Sequence, residues 1–137
     1  MFAQTNDEQN FILGRFPNVV AILNTYPYNA GHVMLLPTAH VPDIDGCSQE
    51  TRLELINLTN ESIKIFHRVF NCQGVNAGLN LGPAAGGSQP GHLHLHVLPR
   101  WVGDTNFVAA LANTKVISFD LRETYRKLRP EFGKISL

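Results

Sequence analysis

The stretch that decides the fold is His92-Leu93-His94-Leu95-His96-Val97-Leu98, in which histidines alternate with apolar residues. Side chains on a β-strand point to opposite faces in turn, so a strand here would place the three histidines on one face. Neighbouring histidines on that face would start about 6.6 Å apart at Cα. Imidazole has an unperturbed pKa of about 6.5, so near neutral pH it can act as a nucleophile, a base or an acid. The pattern therefore predicts a strand with one packed face and one chemically active face.

The segment before this strand, GPAAGGSQPG at 82–91, contains four glycines and two prolines, so it cannot form regular structure. Backbone N–H groups of such a loop can bind an anion, and those of Gly86, Gly87 and Ser88 could reach a ligand of the histidines. Arg100 follows the strand and adds a positive charge. No Asp or Glu lies near the strand in sequence to complete a zinc site, which favours an anion site. A metal site formed by the three histidines is the alternative.

The rest of the chain reads as short strands around one long helix. Apolar and β-branched residues predict strands at 11–13, 19–23, 32–36 and 75–81, and the histidine strand is expected to end at Pro99. After a candidate N-cap at Ser48, apolar residues recur at helical intervals, namely Leu53, Ile56, Ile63, Phe66 and Phe70. A weaker pattern marks a short C-terminal helix, at Phe119, Leu121, Tyr125 and Leu128. Hairpin-length connections predict an α+β fold with a largely antiparallel sheet.

Length and charge narrow the possible partners. The chain has 137 residues, which suits a single domain over 1–137. Its 11 lysines and arginines balance 11 aspartates and glutamates, so it lacks the basic excess of a nucleic-acid-binding groove. Nucleic acids and anionic membranes are therefore poor candidates for the main partner, whereas a small anionic ligand is not excluded.

The sequence also bears on the compartment. The opening MFAQTNDEQN lacks the basic start and apolar stretch of a secretory signal. The longest apolar run, 107–112, is far shorter than the ~20 residues that cross a bilayer. Cys47 and Cys72 show no zinc-type spacing, and two reduced thiols are favoured over one disulfide. We therefore expect a cytoplasmic protein.

Residues 92–98 resemble the H-φ-H-φ-H-φ-φ signature of the histidine triad family, where φ is apolar. The resemblance continues upstream in Leu23-Asn24, in Pro27-Tyr28-Asn29 and in the segment 31–41 that contains Gly31-His32 and His40-Val41. Asn80-Leu81-Gly82 is similar to the family's strand before the phosphate loop. The likeness covers roughly residues 15–107 and implies an α+β fold, a homodimer, and cleavage or transfer at the α-phosphorus of a nucleotide.

The resemblance also implies catalytic roles. His94 resembles the nucleophile that forms a covalent nucleotidyl-histidine intermediate, which divides one displacement into two. His92 and His96 resemble the residues that contact the phosphate and handle protons, and which of them protonates the leaving group stays open. No metal held by the protein is expected, and Mg²⁺ would at most accompany the substrate. His40 is interpreted as a surface or structural histidine, and His67 is given no function.

Substrate contacts follow from the same positions. The resemblance places Asn24 at the ribose and His32 beside the catalytic strand. It places the phosphate and leaving-group contacts at Asn80, Gly87 and Ser88. Ile22 and its neighbours would line an apolar pocket for the base.

The branch of the family is indicated by the sequence around Trp101. Pro99-Arg100-Trp101, followed by 103–107, resembles diadenosine tetraphosphate phosphorylase-type members, in which this tryptophan contacts substrate and phosphate can accept the nucleotidyl group. The loop between Gly82 and His92 is one residue longer than in the fragile-histidine-triad hydrolases. An N-terminal cysteine pair found in many bacterial relatives is missing. Three functions stay open: a hydrolase or phosphorylase of dinucleoside polyphosphates, a nucleotide-binding protein with weak phosphoramidase or little activity, and a metal-dependent enzyme.

Overall fold

The structure is a computed structural model that describes residues 6–86 and 91–137. Within these ranges the strands are β1 (Ile12–Arg15), β2 (Val19–Leu23), β3 (Val33–Pro37), β4 (Gly74–Leu79) and β5 (Leu95–Arg100). The helices are α1 (Gln49–Phe70), α2 (Phe107–Ala112) and α3 (Leu121–Phe132), with a 3₁₀ turn at Pro83–Ala85. The described strands form one sheet in the order β1-β2-β3-β5-β4, and every neighbouring pair is antiparallel. The predicted α+β fold is thus confirmed.

Helix α1 begins where the sequence predicts. The Ser48 side chain accepts a hydrogen bond from the Thr51 backbone N–H at 3.1 Å, as an N-cap does. The buried face of the helix includes Leu55, Leu58, Ile65 and Phe66. The prediction that Leu53 and Ile56 lie on this face is wrong, because they are 60% and 63% exposed.

Strand β5 begins later and ends later than predicted. The backbone N–H of Leu93 donates to the carbonyl of Val41 at 2.7 Å, so the chain at 92–94 is bonded to the loop after β3 and the strand begins only at Leu95. Pro99 does not end the strand. It lies opposite Val75 and the strand continues to Arg100, whose carbonyl accepts from the Gln73 backbone N–H.

One row of side chains crosses the sheet on the face that carries His96. In the antiparallel pairing Ile22 lies opposite Met34, Met34 opposite His96, and His96 opposite Gly78. Directly paired residues share a face, so Ile22 and Met34 extend an apolar surface from the histidine. Both are half-buried.

The C-terminal region covers β1. Helix α3 starts at Asp120, whose side chain accepts from the Glu123 N–H at 2.8 Å, and it packs on β1 and α1. Tyr125, Leu128 and Phe132 are its buried apolar side chains, and this confirms the predicted short helix. Helix α2 was not predicted, and Asn106 caps it. No helix in the described part of the chain is long and apolar enough to span a membrane.

Candidate active site

The histidine segment borders an open cavity of about 320 Å³. The cavity lies between the end of β4, the 3₁₀ turn, the loop after β3 and the segment leading into β5. Its lining is formed by Pro42, Asp43, Asn80, Leu81, Gly82, Pro83, Gly91, His92, Leu93 and His94. The structure therefore brings three of the predicted site residues, His92, His94 and Asn80, to one cavity.

The ring of His94 has a defined tautomer. Its Nδ1 lies 3.0 Å from the backbone carbonyl oxygen of His92. A carbonyl oxygen can only accept, so Nδ1 carries the proton and donates it. In the neutral ring Nε2 then keeps its lone pair, which is the form required of a nucleophile or a base. His94 is 9% exposed and lines the cavity, so this arrangement favours a reactive Nε2 there.

The tautomers of His32 and His96 are set by a chain of hydrogen bonds. The Tyr28 backbone N–H donates to His32 Nδ1 at 3.1 Å, so His32 must carry its proton on Nε2. That N–H donates to His96 Nδ1 at 2.8 Å, which leaves the proton of His96 on Nε2. The Asn80 nitrogen Nδ2 lies 3.4 Å from this Nε2, and since both atoms carry protons they are two neighbouring donors and not a hydrogen-bonded pair. His96 is therefore arranged as a hydrogen-bond donor beside Asn80.

Burial keeps His32 and His96 uncharged. Desolvation, reinforced by the neighbouring His96 and His94, lowers the pKa of His32 from 6.5 to about 3. Desolvation and His94 lower the pKa of His96 from 6.5 to about 4. Both rings are neutral at pH 7, so His96 offers an N–H without adding a positive charge next to His94.

His92 is oriented away from the direction that strict alternation predicts. Its Nε2 lies 2.9 Å from the carbonyl oxygen of Pro37, and its Nδ1 lies 3.0 Å from Nδ1 of His40. His94 and His96, in contrast, have their rings in contact, with centroids 4.8 Å apart. The prediction that 92–94 belong to the strand is wrong, although His92 and His94 still line the same cavity.

Asn24 and Ile22 lie near the histidine chain. The Asn24 side chain is buried, its oxygen accepts from the Tyr26 N–H at 2.8 Å, and its nitrogen lies 3.3 Å from His32 Nδ1. Ile22 lies in the apolar row beside His96, where a base pocket would need it. The ribose and base contacts of these two residues stay predictions.

Trp101 lies against helix α1. Its indole N–H donates to the Phe70 carbonyl at 3.4 Å, and the ring centroids of Trp101 and Phe70 lie 6.4 Å apart. It is not among the described residues that line the cavity. A substrate contact by Trp101 stays a prediction. Gly87 and Ser88 lie outside the described residues.

Arg100 is occupied by an ion pair. Its guanidinium makes two hydrogen bonds to Asp104, at 2.6 and 2.8 Å, and a third to Asn76. The Arg100 bonds hold the pKa of the Asp104 carboxyl well below its usual range. Asp104 also accepts from Asn29 and from the Trp101 backbone N–H, so the pair fixes the loop after β5. The expectation that Arg100 serves the anion site has no support in these contacts.

The described residues do not fit a bound metal. Within 6–86 and 91–137 no group of three or more His, Cys, Asp or Glu side chains is placed to hold one. Cys47 and Cys72 are buried free thiols.

Comparison with known proteins gives a consistent result. The HIT domain matches residues 5–102. Over 131 residues the chain is 41% identical to the "AP-4-A phosphorylase" of Mycobacterium tuberculosis (strain CDC 1551), covering 96% of this chain and 67% of the relative. It is 29% identical over 84 residues to the "Bis(5'-nucleosyl)-tetraphosphatase [asymmetrical]" of Schizosaccharomyces pombe, covering 61% of this chain and 46% of that protein. A zinc-bound histidine triad family protein from Mycobacterium smegmatis superposes with a TM-score of 0.74 at 25% identity, over 91% of this chain and 85% of that one.

Proposed function

The chain belongs to the HIT domain family, and from this membership we propose that it is an enzyme that processes dinucleoside polyphosphates such as diadenosine tetraphosphate. The names of two relatives, a phosphorylase and an asymmetrical tetraphosphatase, support this substrate class. The observation that carries the proposal is that His94 lines the cavity in the tautomer whose Nδ1 donates to the His92 carbonyl and whose Nε2 keeps its lone pair.

In the first step His94 Nε2 attacks the α-phosphorus. A P–N bond forms while the bond from phosphorus to the bridging oxygen breaks, and ATP leaves when the substrate is diadenosine tetraphosphate. The attack makes the ring of His94 cationic. Its Nδ1–H then donates a charge-assisted hydrogen bond to the His92 carbonyl, which strengthens as the charge develops.

Charge on the phosphoryl oxygens is stabilised by fixed donors. His96 Nε2–H and the Asn80 amide lie side by side and are assigned to these oxygens, with backbone N–H groups of the glycine-rich loop as further donors. Neutral His96 is assigned to this role because its proton position is fixed by His32. His92, whose ring nitrogens lie against Pro37 and His40, is not assigned as the acid. A polyphosphate is a weakly basic leaving group, so it can leave as its anion without a proton from His92 or His96.

In the second step an acceptor attacks the nucleotidyl-histidine. Orthophosphate would release ADP, and water would release AMP. The 41% identity to a phosphorylase favours orthophosphate. No protein-held metal takes part, and Mg²⁺ enters only with the substrate.

The product pattern tests this function. Purified protein is incubated with diadenosine tetraphosphate, with and without orthophosphate, and the nucleotides are separated. ADP with ATP only when phosphate is present identifies a phosphorylase, and AMP with ATP identifies a hydrolase. Binding without product would leave the alternative, a nucleotide-binding protein with little activity.

The His94→Ala variant tests the covalent step. We expect it to bind nucleotide and to lose turnover by at least about 10³-fold, because the nucleophile is removed. The matched control is His67→Ala, since His67 is an exposed histidine in α1 and is outside the cavity lining. Near-normal turnover by His94→Ala would exclude the proposed nucleophile.

The homodimer is also proposed. Strand β4 is at the edge of the described sheet, and its residues are exposed or half-buried. An unpaired edge is a common place for chains to associate, and exposed Leu53 and Ile56 on α1 add apolar surface. Sedimentation equilibrium tests the proposal, and a monomer at micromolar concentration would refute it.

A further inference from the structure

His40 and His92 form a hydrogen-bonded pair of imidazoles at the cavity. Their Nδ1 atoms lie 3.0 Å apart and their ring centroids 5.0 Å apart. The backbone holds the two segments together, because the Leu93 N–H donates to the Val41 carbonyl at 2.7 Å. His92 lines the cavity, and His40 is exposed to solvent. The pair therefore joins solvent to the site.

The protons of the pair can be counted from its partners. His92 Nε2 lies 2.9 Å from the Pro37 carbonyl, so it carries a proton. In the neutral His92 ring Nδ1 is then an acceptor, and His40 must donate to it from its own Nδ1. This leaves a lone pair on His40 Nε2.

One further proton can enter without breaking either bond. It binds His40 Nε2 from solvent, and the Nδ1 proton of His40 moves to His92 Nδ1. The bond between the rings keeps its place and reverses its direction. His92 becomes an imidazolium beside the cavity, and His40 is again neutral.

The charges around the cavity indicate how a proton on His92 would assist the binding of a polyphosphate. The described lining contains no Lys or Arg, and it includes the carboxylate of Asp43 as well as His94. His96 and His32, next to His94, stay neutral because they are buried. A polyphosphate entering this cavity therefore meets no Lys or Arg among the described lining residues, and a cationic His92 would attract it.

We propose that the His40–His92 pair takes up one proton when a polyphosphate binds, and that His40 is the positioning residue that holds the ring of His92 and delivers that proton. This inference rests on the proposed function, because it requires a polyphosphate ligand. His40 is thereby assigned a role that the sequence does not reveal.

The experiment counts protons on binding. The probe is a diadenosine tetraphosphate analogue with methylene groups in place of the oxygens that join the α- and β-phosphorus atoms, which cannot be cleaved there. Titration calorimetry in two phosphate-free buffers with different ionisation enthalpies gives the protons taken up per ligand, at several pH values between 6 and 8. The variants are His40→Gln, whose amide can still donate to His92 but cannot relay a proton, and the control His67→Gln.

We expect wild type and His67→Gln to take up about one proton per bound analogue at the pH of greatest uptake. Near that pH the affinity for the analogue should fall about tenfold for each unit by which the pH rises. In His40→Gln we expect most of this uptake to be lost and the affinity to vary little with pH. In ¹H–¹⁵N spectra of the free wild type, His92 should show a protonated Nε2 and an unprotonated Nδ1.

Each other outcome overturns the inference in a recognisable way. Binding without proton uptake by wild type, or uptake unchanged in His40→Gln, refutes the relay while the proposed function stands. A protonated Nδ1 with a bare Nε2 on free His92 refutes the assigned proton positions. Absence of any binding by wild type refutes the proposed function and the relay with it.

Discussion

The hydrogen-bond chain through His32 supports one quantitative prediction. In His32→Leu the partly buried Tyr28 N–H loses its acceptor and the buried His96 Nδ1 loses its donor. A buried polar group without a partner costs about 1–3 kcal/mol, and the partly buried Tyr28 N–H costs less because water can reach it, so the free energy of unfolding should fall by about 2–3 kcal/mol. Denaturant unfolding at pH 7.5 measures this loss.

The same substitution should slow the reaction. Without the His32 N–H, the proton of His96 is no longer held on Nε2 and the ring is no longer held in place. Loss of one transition-state donor lowers kcat by about 10²–10³-fold, and the indirect loss expected here should lie near the lower bound. Turnover of diadenosine tetraphosphate, measured on folded protein well below the unfolding transition, gives the value.

The control is His32→Gln, whose amide N–H can still donate to His96 Nδ1. It should recover most of the kcat even where stability remains reduced. A kcat for His32→Leu within about threefold of wild type would show that the tautomer of His96 does not matter and would refute the reasoning.

Two further predictions concern stability. The lowered pKa values of His32 and His96, about 3 and 4, mean that the unfolded chain binds more protons below its own histidine pKa of about 6.5. The contribution of the two neutral histidines to the free energy of unfolding should therefore be complete above about pH 6.5 and should decrease as the pH drops towards 4. The decrease should be on the order of 1 kcal/mol per histidine per pH unit after solvent screening. A denaturation midpoint that does not change between pH 7 and pH 5 would contradict this. Gly31→Ala should lower the free energy of unfolding by about 2 kcal/mol, because φ is +76° and a Cβ would lie 2.9 Å from the ring of Phe70. Gly78→Ala, where a Cβ meets nothing within 4 Å, is the matched control and should unfold at the wild-type denaturant concentration or slightly above it.

The sequence predicts much of this fold because alternation and helical spacing are local signals. The faces of Leu95, His96 and Val97 follow from the pleat alone. The start of β5 does not, since it depends on the Leu93 N–H bonding Val41, which lies in a different segment. The prediction of the buried face of α1 from the sequence is also wrong in part, because leucine and isoleucine occur on more than one side of this helix.

The site shows the same division. The reactive segment is visible in the sequence, but the pairing of His40 with His92 joins residues 52 positions apart and gives no local signal. Whether the Arg100 guanidinium is available to a ligand depends likewise on Asp104, which reaches it only because the chain turns back after β5. Neighbouring residues in the sequence thus suggest which groups are available, and the three-dimensional contacts determine which of them are already bound.

Three main-chain groups distinguish chemically identical rings in this site. The Tyr28 N–H donates to His32 and so fixes the tautomers of His32 and His96. The carbonyl of His92 accepts from His94, and the carbonyl of Pro37 accepts from His92. Peptide groups do not titrate in the working range of the protein, so neither pH nor a surface mutation can exchange donor for acceptor at these points. A protein engineer who transplants the three rings without these peptide groups would obtain imidazoles whose proton could lie on either nitrogen. Copying the one amide and the two carbonyls as well would also transfer the tautomer of each ring.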